Sequence, residues 1–506
     1  MNSLAGAMLG RLLRLDARLW VVAASLPLSA WAGFTATVPN DDAFVYIRTA
    51  EIFLEAGFGS GLAAAFAHYD WAGYPVLLGL AGAAGLELFA AAHGFNALFF
   101  ALLSFAFVGI CREFSADRGL LALAALTILL FPEINEYRYL VLRDTGFWAF
   151  TLLGLWWLVR YSAAGSWQAC LGFCASLLLA ALFRPEAALY ALLAPLCLLW
   201  DRRHPRPRRM LLCGRAVAVA LGGLLLALLA AGALGLDLPR QAVSLASAYA
   251  PFVQSLFDPA AGQAAAEAIF GEHGATWSGR YLPVFLVTGL LSILALELLY
   301  AVGMPFAPML AWGWFKGWLL PDRNKALPIV AFAALNLLTV LIFILITRYL
   351  SSRYAMVFSL SLALAVPFTA REMLARMAPG TRLVPWLLAL FFIFSAVDSY
   401  YTFGRSKSYV GDAVEWLDAN GGAAAQLLTN NRAVAYHSGL VAEYDRVRPR
   451  LTGQEILATA PGGWIVVETS PAIEQLLARP DIAALLEPRA AFPDAQAPRM
   501  RVYRRR

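Results

Sequence analysis

The sequence predicts a polytopic α-helical membrane protein of about eleven spans, each needing roughly 20 apolar residues, followed by a small α/β domain. Three observations carry this expectation. Of the 506 residues, 60% are hydrophobic and only 14% are charged, whereas ordinary soluble domains carry about 25% charged residues. Apolar runs of spanning length recur from Leu19 to Tyr401. From Gly404 onward those runs stop, and helical and strand periodicities alternate to the C-terminus, the pattern of a compact α/β unit. The chain divides accordingly into a membrane part, 1–402, and a soluble part, 403–506.

The first run, 19–37, follows Arg11, Arg14 and Arg18. No clean small-residue cleavage site precedes Asp41 and many spans follow, so it reads as an uncleaved anchor with a cytoplasmic N-terminus. Lys and Arg in short loops mark the cytoplasmic side. The five arginines within 201–209 form the strongest such loop; 111–118, Lys316 with Arg323 and Lys325, and Arg371 with Arg376 and Arg382 are the others. Spans then fall near 19–37, 94–111, 119–133, 146–160, 168–183, 187–200, 212–235, 281–302, 327–347, 354–370 and 384–402. Their odd number sends the tail outside a bacterial inner (plasma) membrane. The stretches 74–92 and 305–318 are rich in Gly, Ala, Pro or Trp and read as interfacial helices. The external side then carries 38–92, 132–145, the turn Arg184-Pro185-Glu186, 236–280 and 348–353.

In the tail, 408–417 and 471–477 read as helices, and 426–429, 464–469 and 500–503 as strands. Asn420-Gly-Gly reads as a helix stop rather than a phosphate loop, so no nucleotide cofactor is expected. Cys111, Cys170, Cys174, Cys197 and Cys213 lie in or beside spans with no histidine partner, which makes them packing residues rather than metal ligands. The net charge of +6 sits in loops, where it signals orientation and not a nucleic-acid partner. There is no internal repeat to support an inverted-repeat transporter.

The stretch Asp41-Asp42-Ala-Phe-Val-Tyr-Ile-Arg48 places two carboxylates directly after the first span. A carboxylate buried in hydrocarbon costs several kcal/mol, so the pair belongs at the membrane surface or in a watered cavity. It starts a helix expected to run to about Ala56, with Asp41, Phe44 and Arg48 on one face and Glu51 a turn beyond. General base, metal ligand and helix cap all remain open for these two residues.

These residues resemble the membrane-embedded glycosyltransferases of superfamily C. The Asp-Asp-Ala-Phe wording followed by Ile47-Arg48-x-Ala50-Glu51 and Gly57-Phe-Gly59 is closest to the branch of mycobacterial terminal arabinofuranosyltransferases. Protein O-mannosyltransferases and aminoarabinose transferases are more distant relatives. Tyr74-Pro75, Arg143-Asp144-Thr145, Phe183-Arg184-Pro185-Glu186, Arg348-Tyr349 and Arg353-Tyr354 follow in the order that resemblance leads one to expect. The chain departs from the arabinofuranosyl branch after Gly61, where an Ala-rich 62–67 replaces polar residues.

The resemblance implies inverting transfer of a sugar from a polyprenyl-phosphate donor to an extracytoplasmic acceptor, whether cell-envelope glycan, lipid or protein. By that resemblance Asp41 or Asp42 is the base, and its neighbour orients it or binds a divalent cation. Asp144 is a second acidic, acceptor or metal site, or else a helix N-cap. Arg184, Arg348 and Arg353 are candidates for the donor phosphate, against ordinary snorkelling at helix ends. Arg48, His68, Tyr74, Arg143 and Tyr349 are further candidates, with Arg138 weaker; His68-Tyr69-Asp70 reads either as part of the acceptor site or as an exposed tripeptide. A transporter or lipid flippase is the rival reading, and it calls for acidic residues near mid-span.

Overall fold

The computed structural model describes residues 16–35, 38–256, 258–378, 380, 382–401, 407–420 and 426–506. Arg11, Arg14 and the expected boundary at Gly404 lie outside the described residues. Helices dominate. Among the described residues eight are long and apolar enough to cross a membrane: Ala17–Thr35, Asp41–His68, Leu88–Phe114, Arg206–Ala233, Gly262–Val302, Leu327–Thr347, Ser352–Ala375 and Leu383–Tyr400.

This set differs from the eleven expected runs in instructive ways. Arg118–Leu129, Trp167–Phe183 and Ala187–Trp200 are helical but short. Arg143–Ala164 has the length, yet Arg160 and the many Trp, Tyr, Gly, Ser and Thr residues of its run dilute its apolar character. The helix expected to run to about Ala56 breaks there: Gly57 takes the non-helical φ +72° and ψ 166°, and a second helical stretch follows the kink and ends at His68. The 236–280 loop is itself helical, as Leu238–Ser247, Ala250–Leu256 and Pro259–Ser278. The stretches read as interfacial form the helices Gly73–Ala83 and Phe306–Lys316, of 11 residues each. Such a helix is about 16 Å long at 1.5 Å per residue, half of a hydrocarbon core of about 30 Å.

Polar contacts gather the loops into two groups at opposite ends of the bundle. At one end Arg112 pairs with Asp16, Arg371 Nε donates to Asp117 at 2.6 Å, Lys325 Nζ reaches the Glu113 carbonyl, and His204 Nε2 lies 2.8 Å from the Ser162 carbonyl. These are the Lys- and Arg-rich loops. At the other end Asn40 clamps both the N–H (2.8 Å) and the C=O (3.1 Å) of Val141, and Gln241 donates to the Phe66 carbonyl at 3.0 Å. The Arg143–Ala164 helix spans the distance between the two groups, with Asp144 at one end and Ser162 at the other.

The C-terminal segment builds a four-stranded sheet in the order β1-β2-β4-β3, from β1 (Leu427–Thr429), β2 (Trp464–Glu468), β3 (Leu486–Phe492) and β4 (Met500–Arg505). β1 runs parallel to β2, and the other pairings are antiparallel. Alternate residues serve two cores, as a pleated strand requires. Trp464, Val466, Met500 and Val502 pack with the Ser408–Asn420 helix, while Ile465, Val467 and Tyr503 pack with Ile456, Ile473 and Leu477. β3 was not anticipated. Its Pro488 is tolerated because β3 is an edge strand with a register shift between Pro488 and Ala490.

The first of those cores also takes in Phe44 of the membrane part, fully buried against Tyr436 at 5.5 Å and Phe89 at 6.0 Å. Tyr444 donates to Glu51 at 2.8 Å, His68 Nε2 pairs with Asp445 at 3.0 Å, and Arg432 Nη1 donates to the Asp41 carbonyl at 3.2 Å. Burial and the adjacent Glu51 carboxylate push the Tyr444 phenol well above its ordinary pKa, keeping it a donor. The sheet thereby sits over the helix that begins at Asp41.

Candidate functional site

Asp41 and Asp42 are the first two residues of their helix, and Asn40 is the N-cap residue, with its side chain turned to Val141 and no cap bond of its own. The aspartates therefore do not cap the helix through their side chains. They lie in its first turn, where negative charge meets the positive dipole end. Successive helical residues point about 100° apart, and the two carboxylates separate accordingly. Asp41 lines a cavity with Glu136 and Asp398. Asp42 turns to Arg353, whose Nη1 donates to its Oδ2 at 2.8 Å.

From Arg353 a line of alternating charge continues inward. Asp144, 3% exposed, is ion-paired with Arg184, which also pairs with Glu186, and Arg353 and Arg143 lie close enough to act on Asp144 through space. Asp144 lies in the first turn of its helix behind the N-cap position of Leu142, so the capping reading of Asp144 is replaced by an arginine pair.

Two local features bring Arg184 into place. Pro185 disfavours the helical region for the residue before it, so the Trp167–Phe183 helix stops and Arg184 is extended, at φ −145° and ψ 125°. Gly146 then lets the corner close. A Cβ there would stand 2.5 Å from the Phe183 ring, so only glycine allows the Arg184 corner to reach the turn that carries Asp144.

Aromatic rings hold the guanidiniums. Arg143 stands 5.4 Å from the Tyr69 ring, Arg184 4.9 Å from the Tyr354 ring, and Arg353 Nη2 donates to the Tyr354 hydroxyl at 3.1 Å. Tyr69 in turn contacts Tyr46, and Tyr46 packs edge-on to the buried Tyr74 at 5.3 Å. Two buried donors, Arg143 Nη1 and Arg353 Nε, have no hydrogen-bond partner. Unsatisfied buried donors are costly, and cationic ones in a cleft fit an anionic ligand.

Beside this line lies a cavity of about 280 Å³ whose polar end is Arg184, Glu186 and Tyr354 and whose walls are apolar, chiefly Val340, Phe343 and Ile346 of the Leu327–Thr347 helix and Leu245.

The structure thus brings together Asp42, Arg353, Asp144, Arg184 and Arg143, with Tyr74 behind them. It does not bring Arg348 or Tyr349 there: Arg348 is the left-handed C-cap residue (φ +58°) of Leu327–Thr347, and both side chains are exposed. Arg48 pairs with Glu51 and Glu55, His68 with Asp445, and Arg138 is buried on Ser25, Ser29 and Asn135. Sequence reasoning gave little weight to Tyr69, whose tripeptide already stood out, and missed Tyr249, which lines the apolar cavity.

A divalent cation needs several converging oxygen ligands. Among the described residues no three His, Cys, Asp or Glu side chains converge in that way, and Asp42 and Asp144 each face a guanidinium. The donor set fits an anion held by arginines and not a cation, so we derive no step through a metal.

Fold and site together define a multi-pass helical membrane protein with a charged cleft at one end of its bundle. No protein-family model and no curated protein matches the chain. Among solved structures the chain is similar to the cryo-EM structure of arabinofuranosyltransferase AftD from mycobacteria, at 14% identity and a TM-score of 0.43 over 97% of this chain. The similarity covers 40% of the AftD chain, so this protein spans less than half of that one's length.

Proposed function

We propose that the protein is an inverting glycosyltransferase that moves a sugar from a polyprenyl-phosphate donor to an extracytoplasmic acceptor. The observation that carries this reading is the line Asp42–Arg353–Asp144–Arg184, whose last member, Arg184, stands at the polar end of an apolar cavity. A polyprenyl phosphate has those two halves. Its hydrocarbon suits Val340, Phe343 and Ile346, and its phosphate suits Arg184, with the unpartnered donors of Arg143 and Arg353 nearby.

In the step we propose, the acceptor hydroxyl oxygen attacks the anomeric carbon from the face opposite the phosphate. The bond from that carbon to the phosphate oxygen breaks, and its electron pair leaves with the polyprenyl phosphate, whose added charge the arginines stabilise. The acceptor proton passes to the Asp42 carboxylate. Asp42 is the better placed of the pair because Asp41 faces a different cavity. Asp144 acts as a positioning residue that holds Arg184. The tail, 403–506, serves as an extracytoplasmic domain over the Asp42 helix, in a bacterial inner membrane with the Lys- and Arg-rich loops inside.

The test is transfer by the full chain in nanodiscs, given short-chain polyprenyl-phosphate sugars and a cell-envelope extract. Release of polyprenyl phosphate with sugar incorporated into the extract is the expected result. Absence of release with pentose, hexose and aminopentose donors alike overturns the reading.

A further inference from the structure

Among the described residues two that are not glycine take a positive φ, Trp71 (φ +66°) and Arg348 (φ +58°). Arg348 ends a helix, where the left-handed conformation is common. Trp71 stands in the short connection between the Asp41–His68 and Gly73–Ala83 helices, and for so bulky a residue this backbone is a genuine outlier. Glycine would adopt it without cost. The position therefore keeps tryptophan for its side chain and against the preference of its backbone. Strain held in this way clusters at functional sites.

The indole shows what is gained. Its Nε1–H donates to the Ala181 carbonyl at 2.5 Å. In an α-helix that carbonyl accepts from the N–H four residues on, which here is Pro185, and proline has none. The Trp167–Phe183 helix ends with the Arg184 N–H on the Ala180 carbonyl, and Trp71 supplies the donor that Pro185 lacks. Water would satisfy an orphaned helix-end carbonyl without fixing its position. An indole ties it to a second element.

The residues after Trp71 continue along the same helix end. Gly73 lies so close to the Leu182 carbonyl that a Cβ there would collide with its oxygen, and Tyr74 packs on the Phe183 ring at 6.1 Å. One turn thus grips Ala181, Leu182 and Phe183 in succession, and the next residue is Arg184. The same turn carries Tyr69, whose ring faces the Arg143 guanidinium at 5.4 Å.

We infer that Trp71 is a positioning residue for Arg184: its indole pins the helix end from which that arginine reaches Asp144. The consequence for catalysis rests on the transferase reading above, in which Arg184 meets the donor phosphate. The pinning itself does not.

The test uses the full chain in nanodiscs and two variants. Trp71→Phe keeps a ring and removes the indole donor. Trp71→Gly removes the side chain and takes the left-handed φ without strain, which favours folding. The first readout needs no transfer: Asp144→Asn, Arg184→Gln and their combination form a double-mutant cycle read by Tm. Its coupling should be clear in the wild-type background and at least halved in both Trp71 backgrounds. The second readout is transfer, in which both variants should lower kcat/KM for the polyprenyl-phosphate sugar tenfold or more and leave KM for the acceptor within twofold. Adding Pro185→Ala to Trp71→Phe returns a backbone donor to the Ala181 carbonyl and lets the helix run on through Arg184. Tm should then recover and transfer should not.

No coupling in wild type, or undiminished coupling in either Trp71 variant, overturns the inference whatever transfer does. Transfer that recovers together with Tm in the Trp71→Phe/Pro185→Ala chain overturns it as well, because the indole would then serve stability alone. Diminished coupling with wild-type kcat/KM overturns the catalytic consequence. Diminished coupling in a chain that transfers from no donor keeps the positioning role and removes the transferase reading.

Discussion

Asp42 and Arg353 are 311 residues apart in sequence, and their side chains meet at 2.8 Å. Both are partly exposed, at 41% and 26%, and an ion pair so wetted contributes only about 0–1 kcal/mol to stability. Its consequence is positional. It ties the start of the Asp41–His68 helix to the short turn Ser352–Ala355, and so sets the Asp42 carboxylate beside the guanidiniums that surround Asp144. Arg353 keeps a buried Nε without a partner even after making this pair, which leaves donor capacity for a ligand.

The Asp144–Arg184 pair is of the opposite kind, with side chains 5% and 16% exposed. Removing one partner strands a buried charge, at a cost of about 3–5 kcal/mol. Asp144→Asn and Arg184→Gln should therefore each lower the Tm clearly in detergent, and the double variant should lose far less than the sum of the two. Additive losses in that double-mutant cycle would show that the two side chains do not depend on each other.

Gly146→Ala tests how the corner is positioned. The added methyl meets the Phe183 ring at 2.5 Å, an overpacking that typically costs about 1–3 kcal/mol. Because Arg184 follows Phe183 directly, transfer should fall further than stability does. Phe183→Leu in the same chain should restore much of both. Wild-type activity in Gly146→Ala alone would mean that Arg184 does not need this approach.

Much of the fold was legible because its signals are local. Apolar runs located the helices of the bundle to within a few residues, and the strands β1, β2 and β4 were visible as short apolar runs. The site was only half legible. Asp144 and Arg184 could be named from their neighbours, but their pairing depends on Gly146 and Pro185 acting across a helical hairpin. The choice between Asp41 and Asp42 depends on helix phase, which begins at Asn40 and leaves no mark in the residue types. Arg348 and Arg353 look alike in sequence, each preceding a tyrosine. A left-handed C-cap turns the first to the surface, and a short 3₁₀ turn brings the second inward. β3 was hidden because Glu487-Pro488-Arg489 reads as a turn unless its place at the sheet edge is known.

The two groups of loops make topology testable. All five native cysteines are buried, so a wild-type background gives little labelling. A cysteine at Glu443, on the exposed surface over the Asp41 helix, should react with an impermeant maleimide in intact cells. One at Arg202, in the basic loop, should react only after permeabilisation. The reversed pattern would put the tail inside and remove the extracytoplasmic transfer model.

Asp42→Asn and Asp41→Asn separate chemistry from structure most directly. Asn keeps the shape of either side chain and most of its hydrogen bonding but cannot take up a proton. Neither aspartate caps the helix, and the Asp42–Arg353 pair is solvent-exposed enough that losing its charge should move the Tm little. If Asp42 is the base, Asp42→Asn should insert and fold normally and lose kcat by about 10²-fold or more, the usual contribution of general-base catalysis. Asp41→Asn should retain most of kcat, because its carboxylate faces the neighbouring cavity and not the cleft. Arg353→Lys complements the pair: it keeps the charge but loses the planar fork, so it should weaken donor binding while Asp42 remains functional. The assignment fails if Asp42→Asn, at equal expression, transfers sugar at a rate near wild type, and it shifts to Asp41 if that variant alone abolishes turnover.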